Sequence, residues 1–267
     1  MLQPCRRVIL FRFHTAFDVC KNHLELIRAY NPGVSVYGLY GGPASEFKKA
    51  QRLPLDSCFL IPLDDAYWKW LNGDLTIRWW FKEIGKKLKF DMLHVFEWDM
   101  VLLEPIEKRF AKITEGVAIT GRKPLKEVYD TWYWVAPKRG RAEWEALLAD
   151  VKKKHGYRKQ PFCGIFGGVS LSRAFLERYA KEDVRSLCND EVRVPLYAQA
   201  YGLPVHDTGF KSEWFETSKI LLSPERIYTA YQQGQTVFHP VREKLDLKRL
   251  QQIQLIRETR DKIFKTR

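Results

Sequence analysis

The fold is indicated by residues 90–105, which read Phe90-Asp-Met-Leu-His-Val-Phe-Glu-Trp-Asp-Met-Val-Leu-Leu-Glu-Pro105. Met92 to Phe96 form a short apolar run, typical of a strand buried on both faces of a parallel sheet. Glu97 and Asp99 follow, and residues at i and i+2 of an extended chain share a face. Buried carboxylates need a cation or a basic partner, and hard divalent ions with oxygen ligands often carry phosphates as further ligands. The stretch predicts a strand-end acidic site, with a solvated turn as the structural alternative.

The composition predicts a folded domain that contacts anions. The chain has 267 residues, of which 45% are hydrophobic, and its formal net charge is +13. Nucleic acid, anionic lipid and nucleotide diphosphates all fit that charge. No apolar run is long enough to cross a bilayer, and we expect a cytoplasmic protein without signal peptide or anchor. Five scattered cysteines without a Cys-x-x-Cys pair are typical of reduced thiols.

The first part of the chain alternates strands and helices, which predicts a mostly parallel α/β sheet. Thr15 is placed to cap the first helix. The predicted elements are a strand at 6–14, a helix to about Tyr30, strands at 34–40 and 57–63, and a helix at 74–88. In such sheets ligands bind beyond the carboxyl ends of the strands, where we expect His14, Gly41, Asp64 and the acidic triplet to converge.

The second part predicts further strands and helices without a repeat or long linker. Its elements are strands at 116–120 and 129–136, a helix at 141–154, a glycine-rich loop at 164–173, a helix at 174–181, a strand at 203–207 and a basic helix from Lys244. The late stretch Thr236-Val-Phe-His239-Pro240 places a histidine at a strand end.

Four stretches, in this order, resemble motifs of the GT-A glycosyltransferases. The triplet Glu97-Trp98-Asp99 is similar to their acidic metal-binding motif, with Glu in place of the first Asp. The run Gly164-Ile-Phe-Gly-Gly-Val-Ser-Leu-Ser-Arg173 is similar to their glycine loop beside the donor sugar. Asn189-Asp-Glu-Val-Arg-Val-Pro195, continuing to Gly202, resembles their Glu-Asp motif, with the acids reversed and a proline inside the expected helix. His239 is similar to their carboxy-terminal metal-binding histidine.

The resemblance implies a GT-A-like, Rossmann-like domain at 1–241, with a nucleotide-binding half at 1–105, an acceptor half at 106–241 and a basic helix at 242–267. It implies a metal-dependent glycosyltransferase in which Asp99, His239 and Glu97 hold Mn²⁺ or Mg²⁺ against the diphosphate of a UDP or GDP sugar. If the reaction inverts the sugar, the implied base is Glu191, with Asp190 as the alternative; a retaining reaction does not need that base.

The resemblance also suggests contacts for both substrates. The acceptor is a carbohydrate, a lipid-linked or another hydroxyl compound, with Trp214 as its candidate contact. For each candidate nucleotide-sugar contact taken singly, the structural alternative is a helix cap, a turn or a surface ion pair. The candidate nucleotide-sugar contacts are His14, Thr15, Asp64, Asp65, Asp74, Arg78, Trp98, Gly167 and Gly168.

Two other functions remain open at this point. A sugar-phosphate nucleotidyltransferase needs a glycine-rich phosphate loop after the first strand, and Phe13-His-Thr-Ala16 does not provide one. A non-catalytic basic protein that binds nucleic acid or anionic membrane would leave the acidic motifs unused. We expect no nucleic-acid partner, and peripheral membrane contact through the C-terminal helix stays an alternative.

Overall fold

A computed structural model describes residues 5–138, 140–215 and 222–265, apart from the side chains of 261 and 263–265. Residues 1–4, at the start of the predicted domain, and 266–267, at the end of the predicted basic helix, lie outside the described residues. The strands are β1 (Arg7–Phe13), β2 (Val36–Tyr40), β3 (Ser57–Leu60), β4 (Met92–Glu97), β5 (Val101–Leu102), β6 (Val117–Pro124), β7 (Phe162–Ser172), β8 (Val205–Asp207) and β9 (Val237–Phe238). The helices are α1 (Phe17–Tyr30), α2 (Phe47–Ala50), α3 (Ala66–Leu71), α4 (Gly73–Glu83), α5 (Ile106–Arg109), α6 (Arg141–His155), α7 (Arg173–Lys181), α8 (Asp190–Ala200), α9 (Ser212–Phe215), α10 (Pro224–Gln232) and α11 (Leu247–Lys265).

Seven strands form the central sheet in the order β3-β2-β1-β4-β7-β6-β8. Strands β1 to β4 are parallel, β7 runs antiparallel to both its neighbours, and β8 is parallel to β6. A separate two-stranded antiparallel sheet pairs β5 with β9. The predicted α/β class, with a mostly parallel sheet flanked by helices in one domain, is confirmed, and it is consistent with a GT-A-like architecture.

The sheet separates two apolar clusters because successive strand residues point to opposite faces. Val8 and Leu10 of β1 belong to one cluster, together with Trp80 of α4. Ile9 and Phe11 belong to the other, which is covered by α1. A third cluster joins α10 and α11 to the small β5–β9 sheet. The strands nearest the sheet centre are therefore buried on both faces, as their apolar sequences predict.

Two predicted segments have a different structure. Residues 129–136 form turns instead of an aromatic strand. The Arg141 side chain reaches back to the carbonyls of Tyr129, at 2.9 Å, and Val135, at 2.8 Å, which holds the segment folded. Instead of the expected glycine loop at 164–173, residues 164–172 belong to the long strand β7, which pairs with β4 and β6, and Arg173 begins α7.

Several boundaries also differ from the predictions. Ala16 and not Thr15 lies at the start of α1, in the left-handed region with a φ of 51°. The helix expected at 74–88 ends at Glu83 and is followed by a short 3₁₀ turn. An unpredicted helix, α3, precedes it. Helix α8 begins at Asp190 and contains Pro195, which removes one helical N–H donor in its middle.

Candidate active site at the carboxyl edge of the sheet

Asp99 and His239 lie side by side although they are far apart in sequence. Asp99 Oδ1 is 3.4 Å from His239 Nε2, and both residues are largely buried. The pairing of β5 with β9 brings them together, since Asp99 precedes β5 and His239 follows β9. A backbone hydrogen bond of 2.6 Å from Val241 N to the Asp99 carbonyl fixes the two segments further. The metal site predicted from the sequence requires Asp99 and His239 to lie this close to each other.

The imidazole of His239 is held in one orientation. Its Nδ1 lies 2.9 Å from the carbonyl of Phe215, which can only accept, so Nδ1 carries the proton and Nε2 faces Asp99. Burial lowers the pKa of His239, but its hydrogen bond to Asp99 and the charge of that carboxylate outweigh burial, and the net pKa is raised. The pair therefore favours a positive charge between Nε2 and Oδ1, which either a proton or a metal ion can supply.

Glu97 has an arginine partner of its own. Its Oε1 accepts a hydrogen bond of 2.8 Å from Arg12 Nη1, and the two side chains are 22% and 15% exposed. Burial raises the pKa of Glu97, while Arg12 acts in the opposite direction. The exposed Arg242 lies 3.8 Å from the second oxygen of Asp99. Each carboxylate of the acidic triplet is thus next to a guanidinium.

Two features bear on whether this site suits a metal ion. Among residues 5–138, 140–215 and 222–265, no three His, Cys, Asp or Glu side chains converge as a metal-binding group. Asp99 and His239 do provide an oxygen and a nitrogen with the imidazole anchored through its other nitrogen, as metal-ligating histidines usually are. The residues fit an ion that takes two protein ligands and completes its shell from phosphate oxygens and water, which is common for Mg²⁺.

The paired acids at the start of α8 lie beside this site. Asp190 is 5% exposed, and its Oδ2 accepts a hydrogen bond of 3.0 Å from the backbone N–H of Gly73. A Cβ on Gly73 would stand 2.5 Å from Arg12 Nη1 and 2.6 Å from Asp190 Oδ2, so the absence of a side chain lets the two approach. Burial raises the pKa of Asp190 well above its usual value, and the charge of Asp74 adds to the effect.

Glu191 is more accessible than Asp190. It is half-buried, and Trp134 Nε1 donates a hydrogen bond of 2.8 Å to its Oε2. The two adjacent acids thus have different environments, one inside the fold and one at its surface.

A buried ion pair fixes α8 against α4. Arg193 donates to both oxygens of Asp74, at 2.6 and 2.7 Å, and the two side chains are 0% and 1% exposed. Tyr179 also donates to Asp74. Arg78, another predicted nucleotide contact, donates to the carbonyls of Tyr179, at 2.9 Å, and Glu182. Asp74 and Arg78 use their hydrogen-bonding groups within the fold, so we do not include them in the site.

Other predicted nucleotide-sugar contacts lie near the carboxyl edge. The exposed His14 meets Trp98 edge to face, with ring centroids 5.8 Å apart. Thr15 and Asp64 are exposed. Asp65 is exposed too, but its carboxylate caps α3 by accepting from Trp68 N at 2.8 Å. These positions leave His14, Trp98, Thr15 and Asp64 available to a ligand.

The remaining predicted contacts have structural roles in this arrangement. Gly167 and Gly168 lie within β7, and Gly168 adopts a φ of 70° close to Phe210 and Met100. Trp214 packs against Phe238, and its carbonyl accepts a hydrogen bond of 2.9 Å from His239 N. Trp214 therefore positions the histidine segment.

Sequence reasoning missed Arg12 and Trp134. A charged residue inside an otherwise buried strand must find an opposite charge, so Arg12 at the end of β1 already pointed to a nearby carboxylate. The sequence predicts that Trp134 lies in a strand, and nothing in it indicates that the indole reaches Glu191.

Comparisons with known proteins leave the family open. No family model matches the chain, and no curated protein matches it. A search of solved structures finds the apo structure of WbbM, described as a bifunctional glycosyltransferase, with 8% sequence identity and a TM-score of 0.39. The match covers 72% of this chain and 40% of the WbbM chain, so this chain spans well under half of that protein. A similarity this low does not assign a function.

Proposed function

We propose that this protein is a glycosyltransferase that moves a sugar from a nucleotide diphosphate sugar to an acceptor hydroxyl, with Mn²⁺ or Mg²⁺ as its cofactor. The observation that carries the proposal is the 3.4 Å approach of Asp99 Oδ1 to His239 Nε2 at the carboxyl edge of the sheet. Ligands of open α/β sheets bind at this edge.

The charges around the pair suit a diphosphate. Arg12 and Arg242 place guanidinium groups next to Glu97 and Asp99, and guanidinium groups bind phosphate oxygens well. When bound between Asp99, His239 and the diphosphate, the divalent ion would neutralise charge that develops on the leaving nucleotide. His14 and Trp98 would flank the donor from the ends of β1 and β4.

Glu191 is the group best placed to act as a base. Its half-buried carboxylate accepts a hydrogen bond from Trp134 Nε1, whereas Asp190 is buried and bonded to Gly73 N within the fold. Glu191 would take the proton from the acceptor hydroxyl as that oxygen forms a bond to the anomeric carbon. The bond from that carbon to the phosphate oxygen breaks, and the nucleoside diphosphate leaves with the electron pair. This single displacement inverts the sugar.

The activity is tested by the release of nucleoside diphosphate from a panel of UDP and GDP sugars, with oligosaccharide acceptors present. We expect release to stop with EDTA and to return with Mn²⁺ or Mg²⁺. Asp99→Ala and His239→Ala should each lower turnover at least about a hundredfold, since even residues that only orient a metal ligand contribute 10- to 100-fold. Asp183→Ala and His155→Ala, outside the site on the α7 and α6 sides of the fold, are the matched controls.

A second series tests the base. Glu191→Gln should lower turnover by roughly 10²–10⁴-fold, the usual contribution of a general base, with a smaller effect from Asp190→Asn. The anomeric configuration of the product, read by NMR, should be inverted. Release that is indifferent to EDTA and to Asp99→Ala would remove the metal from the proposal. No release from any donor would reject the transferase itself.

A further inference from the structure

Three exposed aromatic residues and the half-buried Trp134 form a cluster beside the proposed base. We call Tyr67, Trp70, Tyr133 and Trp134 the aromatic patch. Tyr67 and Trp70 are each 62% exposed and Tyr133 is 45% exposed, which places them among the few large apolar side chains at the surface of the described residues. Their ring centroids follow one another at 5.9 Å from Tyr67 to Trp70, 5.6 Å to Trp134 and 4.7 Å to Tyr133. Exposed apolar groups that form a contiguous patch mark binding surfaces.

The patch leads directly to Glu191. Trp134 contacts Trp70 with its ring and donates its indole N–H to Glu191 at 2.8 Å. A ligand that covers Trp70 and extends along Trp134 would approach the carboxylate that we propose as the base.

Contacts of the neighbouring side chains hold the patch in place. Helix α3 is capped by Asp65, and its Trp68 stacks on Trp79 with ring centroids 5.2 Å apart. Lys69 turns inward and donates to the Gly41 carbonyl. On the other side, Arg141 holds the 129–136 turns through carbonyl and carboxylate contacts. The outward-facing rings are thus positioned before any ligand arrives, which lowers the cost of binding.

The carboxylates at the two ends of the patch favour a sugar over an anionic membrane surface. Asp64 and Asp65 immediately precede α3, and Glu191 lies at the other end of the patch. Carboxylates accept hydrogen bonds from sugar hydroxyls, while aromatic faces cover the apolar faces of sugar rings. An anionic lipid surface would instead require basic residues around the apolar groups.

We propose that the aromatic patch binds a neutral oligosaccharide as the acceptor, with its terminal hydroxyl presented to Glu191. The proposal rests on the proposed transferase function and gives the acceptor its chemical class. It places the acceptor surface on α3 and the 129–136 turns instead of at Trp214, which packs on Phe238.

The test begins with binding to a glycan microarray, followed by fluorescence titration of the glycan that is bound best. Trp70→Ala and Tyr67→Ala should each weaken binding by about tenfold, equivalent to about 1.4 kcal/mol. The double variant Leu255→Ala/Ile256→Ala is the matched control, because those side chains are 65% and 57% exposed on α11. It should bind as the wild type does. All three variants remove exposed groups and should fold.

Kinetics then separate this proposal from the transferase itself. With an active donor, Trp70→Ala should raise the KM for the acceptor about tenfold and leave the Kd for the nucleotide sugar unchanged. Glycan binding that Trp70→Ala weakens, without turnover of any donor, would keep the patch as a saccharide site and reject the transferase. Transfer with the same acceptor KM in wild type and Trp70→Ala would reject the patch and keep the transferase. The patch is also rejected if no glycan binds, or if phosphatidylcholine–phosphatidylserine vesicles bind in a Trp70-dependent way while glycans do not.

Discussion

Arg193→Met should destabilise the protein by about 3–5 kcal/mol, because it leaves the carboxylate of Asp74 buried without its cation. In the wild type, two hydrogen bonds of 2.6 and 2.7 Å join the side chains of Arg193 and Asp74, which are 0% and 1% exposed. Met replaces the aliphatic part of Arg193, so most of the loss comes from the charge and not from a cavity. For a chain of this length the expected fall in Tm is about 6–10 °C, at about 2 °C per kcal/mol.

Urea unfolding followed by tryptophan fluorescence measures the effect. The exposed pair Arg249–Glu225 is a matched control, since it also makes two hydrogen bonds of 2.6 and 2.7 Å but its side chains are 45% and 72% exposed. Arg249→Met should leave the unfolding midpoint unchanged, because exposed ion pairs contribute little. The double variant Asp74→Leu/Arg193→Met should recover much of the stability lost by the single one. If Arg193→Met lies within about 1 kcal/mol of the wild type, the pair does not hold α8 on α4 as we describe.

Three further outcomes follow from the packing. Gly73→Ala should lower the free energy of unfolding, measured in urea, by about 1–3 kcal/mol, because its Cβ would stand 2.5 Å from the Arg12 guanidinium. A variant as stable as the wild type would show that this contact relaxes freely. Burial, and then the guanidinium of Arg7, lower the pKa of His94 well below 6.5, so the unfolded chain binds a proton that the folded chain excludes. The free energy of unfolding should therefore fall as the pH drops below 6.5, by up to about 1.36 kcal/mol per pH unit. His94→Gln should flatten that slope between pH 7 and 5. Leu250→Ala, at a fully buried position on α11, should lower the free energy of unfolding by about 2–5 kcal/mol. Leu255→Ala, on the exposed side of the same helix, should leave thermal unfolding unchanged. Equal effects of the two substitutions would mean that α11 does not pack through Leu250.

The sequence predicts the sheet well because its signals are local. The apolar run at Met92–Phe96 and the alternation of strands with helices specify buried parallel strands, and the structure contains them. The turns at 129–136 were predicted as a strand because the segment is aromatic. Its conformation depends on hydrogen bonds from the Arg141 side chain, which follows the segment in sequence, and the aromatic pattern does not reveal these bonds.

The candidate site is predicted only in part, because some of its contacts join residues that are far apart in sequence. Motif order suggested that Asp99 and His239 would meet, and the pairing of β5 with β9 in the small sheet places them 3.4 Å apart. The partners of Glu97 and Glu191 depend on side chains from β1 and from an irregular segment, so Arg12 and Trp134 emerge only in three dimensions. Their metal-binding and catalytic roles stay predictions for the assays above.

The late position of His239 has a consequence for biosynthesis. Every strand of the seven-stranded sheet lies before Thr208, whereas the imidazole that faces Asp99 follows β9. A ribosome therefore synthesises all seven strands of the sheet before it adds the imidazole that faces Asp99. A nascent chain that extends only to β8 therefore contains every strand of the sheet but lacks the pair formed by Asp99 and His239.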